Sequence, residues 1–389
     1  MPVLAGFVVQ NPLARTAPQP ADVPGSRLHI PDHLYRLSPW AKGTDELGPP
    51  GPVAALMRQD RRSVLGTFGS HEGWVAVSAV DGSYRFLDLP NVDPDTDPSL
   101  SPDGRRVGYV LAGDPPQGHL SHAVGFAIYD TSTAEVTRLR LPTRFGLVPE
   151  AIGWTGDSRF LVAYAGQQMA DPAQSNAYKV VAMGLDGSLR RPPGAVDFVQ
   201  PKFGTWGAAI TWSGDHLLQV WNPGTGERKT FAAADSFREA RLGPDGSRLV
   251  GIGEGPAPGD ALTDRFYSGQ KTRGGAVRAQ LFLAGQGVHV LGWIDGNTVA
   301  VTRIHEDTQT AGYQIDAADV TTGVATPLIT MEAGDEFMLD PTVASDLLRN
   351  PLSGHHRPDA GSDPRHLLLA AFVVLCGAVV LLLIRRANR

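Results

Sequence analysis

Three groups of residues in this chain are of a type and spacing that could do chemistry. Asp93, Asp95 and Asp97 alternate in VDPDTDP, the spacing at which one loop can offer several carboxylate oxygens to calcium. The sixth position of that run is Pro98 where an EF-hand needs glycine, and no glutamate stands at the twelfth. The run therefore reads first as a solvated acidic turn and second as an irregular metal site. His119 and His122 could bring two imidazoles to one metal, but they lie among Gly and Pro with no third ligand near. Trp154, Trp212 and Trp293 precede short polar turns at equivalent places, which is the pattern of packing. His29, His33, His355 and His356 read as surface or linker histidines. The chain contains no G-x-S-x-G elbow, Walker A loop, H-E-x-x-H pair or G-x-G-x-x-G at a strand-to-helix junction. On these grounds no catalytic residue, cofactor or firm metal set is assigned, and the expectation is that the chain is not an enzyme.

Composition narrows the class of partner. With 389 residues, 42% of them hydrophobic, the chain can bury a large core. A formal charge of −6 argues against nucleic acid, whose binders display a basic face. Lysine occurs only at Lys42, Lys179, Lys202, Lys229 and Lys271 among 34 basic residues, so arginine dominates. The one cysteine, Cys376, lies in an apolar tail, so the folded part holds neither a disulfide nor a cysteine metal site.

The elements that must position any site recur along the chain. Residues 97–142 read as a short apolar entry, a Ser101-Pro102-Asp103-Gly104 turn, an alternating strand (Val107, Tyr109, Leu111), a polar loop, a strand ending Tyr129-Asp130, a turn and a last strand. One such four-stranded unit cannot cover both faces of its own sheet, so copies must stack face to face, and the closed solution is a β-propeller. Two markers repeat. The first is the turn between inner strands: Ser101–Gly104, then 155–158, 213–216, 243–246 and 294–297; the Asp215 turn sits one connection late, directly before a hairpin strand. The second is the outer hairpin turn at 80–83, 129–132, 185–188, 221–227 and 320–323. The unit at 51–90 lacks the first marker and the unit at 235–286 lacks the second. These markers admit five to seven blades, and six fits the roughly 40 to 50 residues that one blade needs.

The S-P-D-G turn followed by an apolar strand resembles the TolB-like, WD-repeat-like propeller blades of bacterial envelope proteins and of peptidase propeller domains. The run LQVWNPGTGERKTF is similar to a WD-repeat outer hairpin, although no Gly-His dipeptide precedes Trp221-Asn222 at the usual distance. The resemblance covers most of the chain and implies a rigid disc used for binding, with no particular ligand.

The expected organisation is all-β: a Pro- and Gly-rich leader or residual signal segment at 1–50, with an apolar run at 3–9; the propeller at 51–335; a short helix opening at Asp340-Pro341 and a polar stalk at 336–365; a transmembrane helix at 366–385; and a basic tail at 386–389. Residues 367–384 hold no charge over 18 positions, about 27 Å of helix and close to the thickness of a bilayer core. Arg385, Arg386 and Arg389 follow, which favours a cytoplasmic C-terminus, while Arg349, Arg357 and Arg365 equal them on the other flank. The expected function is a single-pass, membrane-anchored propeller binding or scaffolding at the bacterial envelope. Its competitors are a tail-anchored cytoplasmic regulator and a hydrolase or lyase working in the propeller funnel. Enlarged connections after the second strand, at 66–73, 112–122, 165–177, 253–275 and 304–312, should share one face. They carry His119, Gln167, Gln168, Arg265, Tyr267, Lys271, Arg273 and His305, a set suited to a polar or acidic protein or envelope ligand, with 260–275 contributing most.

Overall fold

A computed structural model describes residues 28–62, 70–114, 121–170, 178–194, 203–206, 208–214, 217–232, 237–244, 246–254, 264–271, 277–283, 287–305, 312–331, 341–354, 357–358 and 365–387. It is a six-bladed β-propeller: six sheets, each a run of four strands joined antiparallel to their chain neighbours. Blade II is made by Ser99–Leu100, Arg106–Ala112, Ala123–Asp130 and Val136–Arg140, and blade III by Leu147–Trp154, Phe160–Gln167, Lys179–Gly184 and Leu189–Arg190. Blade IV runs through Phe203–Trp206, Ala209–Gly214, Leu217–Trp221 and Arg228–Ala232. Blade V comprises Phe237–Leu242, Arg248–Glu254, Asp264–Lys271 and Val277–Leu283, and blade VI Gly287–Trp293, Thr298–His305, Gly312–Asp319 and Ala325–Met331.

Blade I explains why the first repeat lacks its first turn. Its inner strand is Thr342–Val343, from the far end of the propeller sequence, paired antiparallel with Val53–Arg62; Ser70–Ser78 and Tyr84–Leu87 complete the sheet. The ring is thus closed by strand exchange between the two ends of the domain. The expected helix from Asp340-Pro341 is corrected accordingly. Asp340 lies outside the described residues, the next residues are this closing strand, and only Ser345–Arg349 forms a turn of 3-10 helix. That turn wedges Leu347 and Leu348 into the core beside Gly292 of blade VI.

The core is a set of layers between neighbouring blades, as stacked sheets require. Val110, Phe126 and Ile128 of blade II meet Trp154, Leu161 and Met183 of blade III; Phe160, Val162 and Tyr164 meet Ile210 and Trp221; Phe266 meets Val290 and Trp293. Trp154 and Trp293 are packing residues, and Trp154 Nε1 also donates to the Ser99 carbonyl of the preceding blade at 2.9 Å; the side chain of Trp212 is outside the described residues.

Of the segment expected as a leader, residues 28–50 form a strap across the seam between blades VI and I. His33–Leu34 adds a fifth, parallel strand to the outer edge of blade VI, with Ile30, Leu34 and Leu37 buried. The chain then crosses to blade I, where Asp88 accepts the Thr44 hydroxyl at 3.1 Å and the Asp45 amide at 2.8 Å and pairs with Arg61. The Arg85 guanidinium fastens the return by donating to the carbonyls of Gly48 at 3.0 Å and Pro49 at 3.3 Å. An edge strand left open invites pairing with another chain, and the strap covers two of these edges. The apolar run at 3–9 lies outside the described residues.

Of the C-terminal expectation, the helix is present and a membrane span is not shown. A helix does form, Arg365–Ala387. Among the described residues, however, no helix is long and apolar enough to cross a membrane.

Candidate functional site

Strand direction sorts every connection onto one of two faces. Turns between first and second strands, and between third and fourth, lie on one face, here the turn face. Connections between second and third strands, and from blade to blade, lie on the other, the loop face. The enlarged connections of blades I, II, III, V and VI all run from second to third strand, so they share the loop face as their rank requires.

The inner strands line the central channel, and its wall changes character along its length. Each inner strand runs from the loop face to the turn face. At the turn-face end stand Leu242, Trp154 and Trp293, all buried. Nearer the loop face stand Glu150, Glu239 and His289, while Arg241 precedes Leu242 toward the turn face. Glu239 is 3% exposed. Alternation along 237–242 turns Ala240 and Leu242 toward blade IV and Glu239 and Arg241 toward blade VI. There Glu239 receives the Arg241 Nε–H at 3.3 Å and sits 3.1 Å from Nδ1 of His289, which belongs to the inner strand of blade VI. A carboxylate can only accept, so the His289 proton facing it is on Nδ1. The acid therefore fixes both the tautomer and the orientation of the ring, which remains partly exposed. Within blade VI, Arg303 pairs with the fully buried Asp316, whose Oδ1 has no hydrogen-bond partner among the described residues. The boundary between blades V and VI thus adds the Glu239–His289 contact to its apolar layer. Glu150, exposed at a β-bulge, accepts the Tyr178 hydroxyl at 2.9 Å, and Tyr178 stacks on Tyr164 at 5.1 Å.

The residues singled out in the sequence do not form one constellation. His119 and Arg273 lie outside the described residues, as do the side chains of Lys271 and His305. The expected 253–275 insertion is overturned in its second half. Asp264–Lys271 is the third strand of blade V, so Arg265, Tyr267 and Lys271 stand on a strand and not on a loop, and Tyr267 is buried edge-on against Phe237 at 6.3 Å. Gln167 and Gln168 do reach the loop face but serve as fasteners: Gln167 Nε2 donates to Pro142 O at 3.2 Å and the Gln168 amide to Gly146 O at 3.0 Å. Asp93, Asp95 and Asp97 diverge. Asp93 is buried and accepts the Asp95 amide at 3.2 Å, whereas Asp97 pairs with Arg58 at 3.4 Å. Burial pushes the Asp93 carboxyl above the usual range, against the Asp95 amide hydrogen bond, which lowers it, and Asp95's charge raises it further. Among the described residues no group of three or more metal-ligating side chains gathers.

The channel-mouth cluster was not singled out in the sequence, although a signal for it existed. The 243–246 and 294–297 turns mark 237–242 and 287–293 as inner strands, and charge alternating with apolar residues in FREARL places Glu239 and Arg241 on one face.

No protein-family model matches the chain, and no curated protein matches it. Solved structures do. The β-propeller domain of the Trilobed protease from Pyrococcus furiosus is 14% identical over 79% of this chain and 87% of that one, with a TM-score of 0.45. Pyrococcus horikoshii acylaminoacyl peptidase is 14% identical over 76% of this chain and 48% of that one, TM-score 0.45. A putative 6-phosphogluconolactonase from Bacteroides fragilis is 13% identical over 72% and 83%, TM-score 0.41. At such identities the likeness is one of fold, and the chain spans about half the length of the peptidase. The expectation that the chain is not an enzyme is corrected: missing motifs do not exclude catalysis, and the solved structures it is similar to include peptidases.

Proposed function

We propose that this chain is a membrane-attached β-propeller of the bacterial envelope that recognises a polar partner at the mouth of its channel on the loop face. Its disc stands outside the cytoplasm, its C-terminus inside, and residues 367–384 lie in the bilayer. The observation that carries the reading is the C-terminal helix: Val373, Val374, Leu375, Leu381, Leu382 and Leu383 are each more than 60% exposed. Apolar surface of that extent, continuous with an uncharged run back to Leu367, calls for an apolar medium. The arginines that follow are the flank expected on the cytoplasmic side. Fractionation tests it: the full chain should partition with membranes, and a chain lacking 366–389 should not. Equal partition of the two would overturn it, and protection of the disc from protease in intact spheroplasts would reverse the orientation. Kinship with TolB-like propellers remains part of this proposal and rests on the turn and hairpin motifs.

A second reading, acid–base chemistry at the channel mouth, draws on one observation, the Glu239 carboxylate against Nδ1 of His289. A carboxylate so placed orients an imidazole for proton transfer. A panel of esters, lactones and amides given to the parent and to His289→Gln separates the readings. Turnover lost in the variant would favour catalysis, and no turnover in either would favour binding alone.

A further inference from the structure

The path from disc to C-terminal helix is short and partly fastened. After the 3-10 turn Ser345–Arg349, which touches the turn face where the Asp346 amide donates to Pro102 O at 3.0 Å, residues 350–353 run alongside the strap. Asn350 Nδ2 donates to Leu28 O at 2.9 Å, Ser353 N to Ile30 O at 3.0 Å, and Ser353 pairs in parallel with Pro31. Arg357 then lies over the Tyr35 ring at 5.8 Å. Tyr35 follows Leu34, which pairs with Met331 at the loop-face end of blade VI. The chain therefore climbs the outer rim of the seam, from turn face toward loop face. From Arg357 to Arg365, where the helix starts, an extended chain reaches at most about 28 Å.

We infer that the disc is held against the membrane surface by the rim of its blade VI–I seam, loop-face end nearest, so that blades III and IV point away. This rests on the membrane reading above. A long free stalk would let the disc tumble. A stalk fastened up to Arg357 confines the loop face to a thin layer beside the bilayer, where effective concentration is highest for a ligand carried at that surface.

The test uses the full chain in liposomes bearing an acceptor dye on lipid headgroups, in a Cys376→Ala background. Donors go at Lys42→Cys (strap, loop-face side), Val324→Cys (blade VI, turn face) or Glu227→Cys (blade IV hairpin, across the ring), all exposed positions. The expected order of transfer is Lys42, then Val324, then Glu227. A Gly-Ser insertion of about 20 residues after Pro358 should bring the three together, because a flexible linker of that length no longer orients the disc. Transfer from Glu227 equal to or above that from Lys42, or from Val324 above Lys42, would overturn the inference. Failure of the parent to float with liposomes would refute the membrane reading itself, a separate and distinguishable result.

Discussion

The two faces of the disc obey different rules. On the turn face, aspartates repeat at the corners, and each spends a carboxylate oxygen on the amide two residues on: Asp81 to Ser83 at 3.0 Å, Asp186 to Ser188 at 3.0 Å, Asp295 to Asn297 at 2.7 Å, Asp319 to Thr321 at 2.8 Å. Those bonds hold the four carboxyls below the ordinary range, against burial at Asp81, where desolvation is the largest opposing effect. On the loop face, Asp93 is pushed the other way by burial. Asp346, in the seam, is likewise raised by burial. The four turn-corner carboxylates stabilise the fold in their charged form, whereas Asp93, and Asp346 where the closing segment meets the turn face, are kept where charge is a cost. The turn face is built for local stability and the loop face departs from it.

The largest effect should come from the seam on which both faces depend. A chain ending at residue 341 loses the inner strand of blade I and the buried Leu347 and Leu348. It should melt without a cooperative transition, whereas a chain ending at 354 should melt as the parent does. Indistinguishable melts would show that the strap alone closes the ring. Next comes the turn face. Gly104 has φ +72°, and a Cβ there would strike the Val53 carbonyl, which belongs to the neighbouring blade. Gly104→Val should therefore cost about 3 kcal/mol or more in chemical denaturation. A loss under about 1 kcal/mol would mean that the blade contact is not tight.

The channel mouth should respond less, and unevenly. Glu239→Gln keeps the shape but leaves Arg241 and His289 without their counter-charge at a site only partly open to water. We expect a loss of about 1–3 kcal/mol. Glu150→Gln, at an exposed bulge, should stay within about 0.5 kcal/mol of the parent. Equal losses at the two positions would erase the distinction between the buried cluster and the open rim.

This contrast also marks how far the sequence could be read. The turn face was legible because Gly and Asp at 101–104, 155–158 and 294–297 are dictated by backbone geometry that neighbours cannot override. Even the missing turn of blade I was a true signal, of a strand supplied from elsewhere. What was illegible depended on long-range pairing. Nothing local in Thr342-Val343 distinguishes a closing strand from a helix start after Asp340-Pro341, and nothing in 28–50 reports that Ile30 and Leu34 find a sheet edge in blade VI. The 264–271 strand was mistaken for loop because its polar residues, DRFYSGQK, break the alternation that marks a half-buried strand. Glu239 and His289 come together only through the V–VI stacking, which no spacing within either strand encodes.

The smallest expected effect tests the comparison at a single atom. Asp93→Asn keeps an oxygen to accept the Asp95 amide and removes the charge. Because burial raises the native carboxyl above its unfolded value of about 3.8, the folded state binds the more protons between the two values. Stability from this group is therefore present at low pH and is lost as pH rises through the folded value, the reverse of the turn-face aspartates, whose contribution is lost as pH falls. At pH 7 the variant should melt slightly higher than the parent, and the gain should vanish as the pH is taken below 4. The corresponding change on the turn face, Asp295→Asn, should lower the melting temperature at pH 7, with the deficit shrinking in acid as the parent's own carboxyl is protonated. Two variants with shifts of the same sign at neutral pH would show that burial at Asp93 does not outweigh its hydrogen bond, and the electrostatic difference between the faces would fall with it.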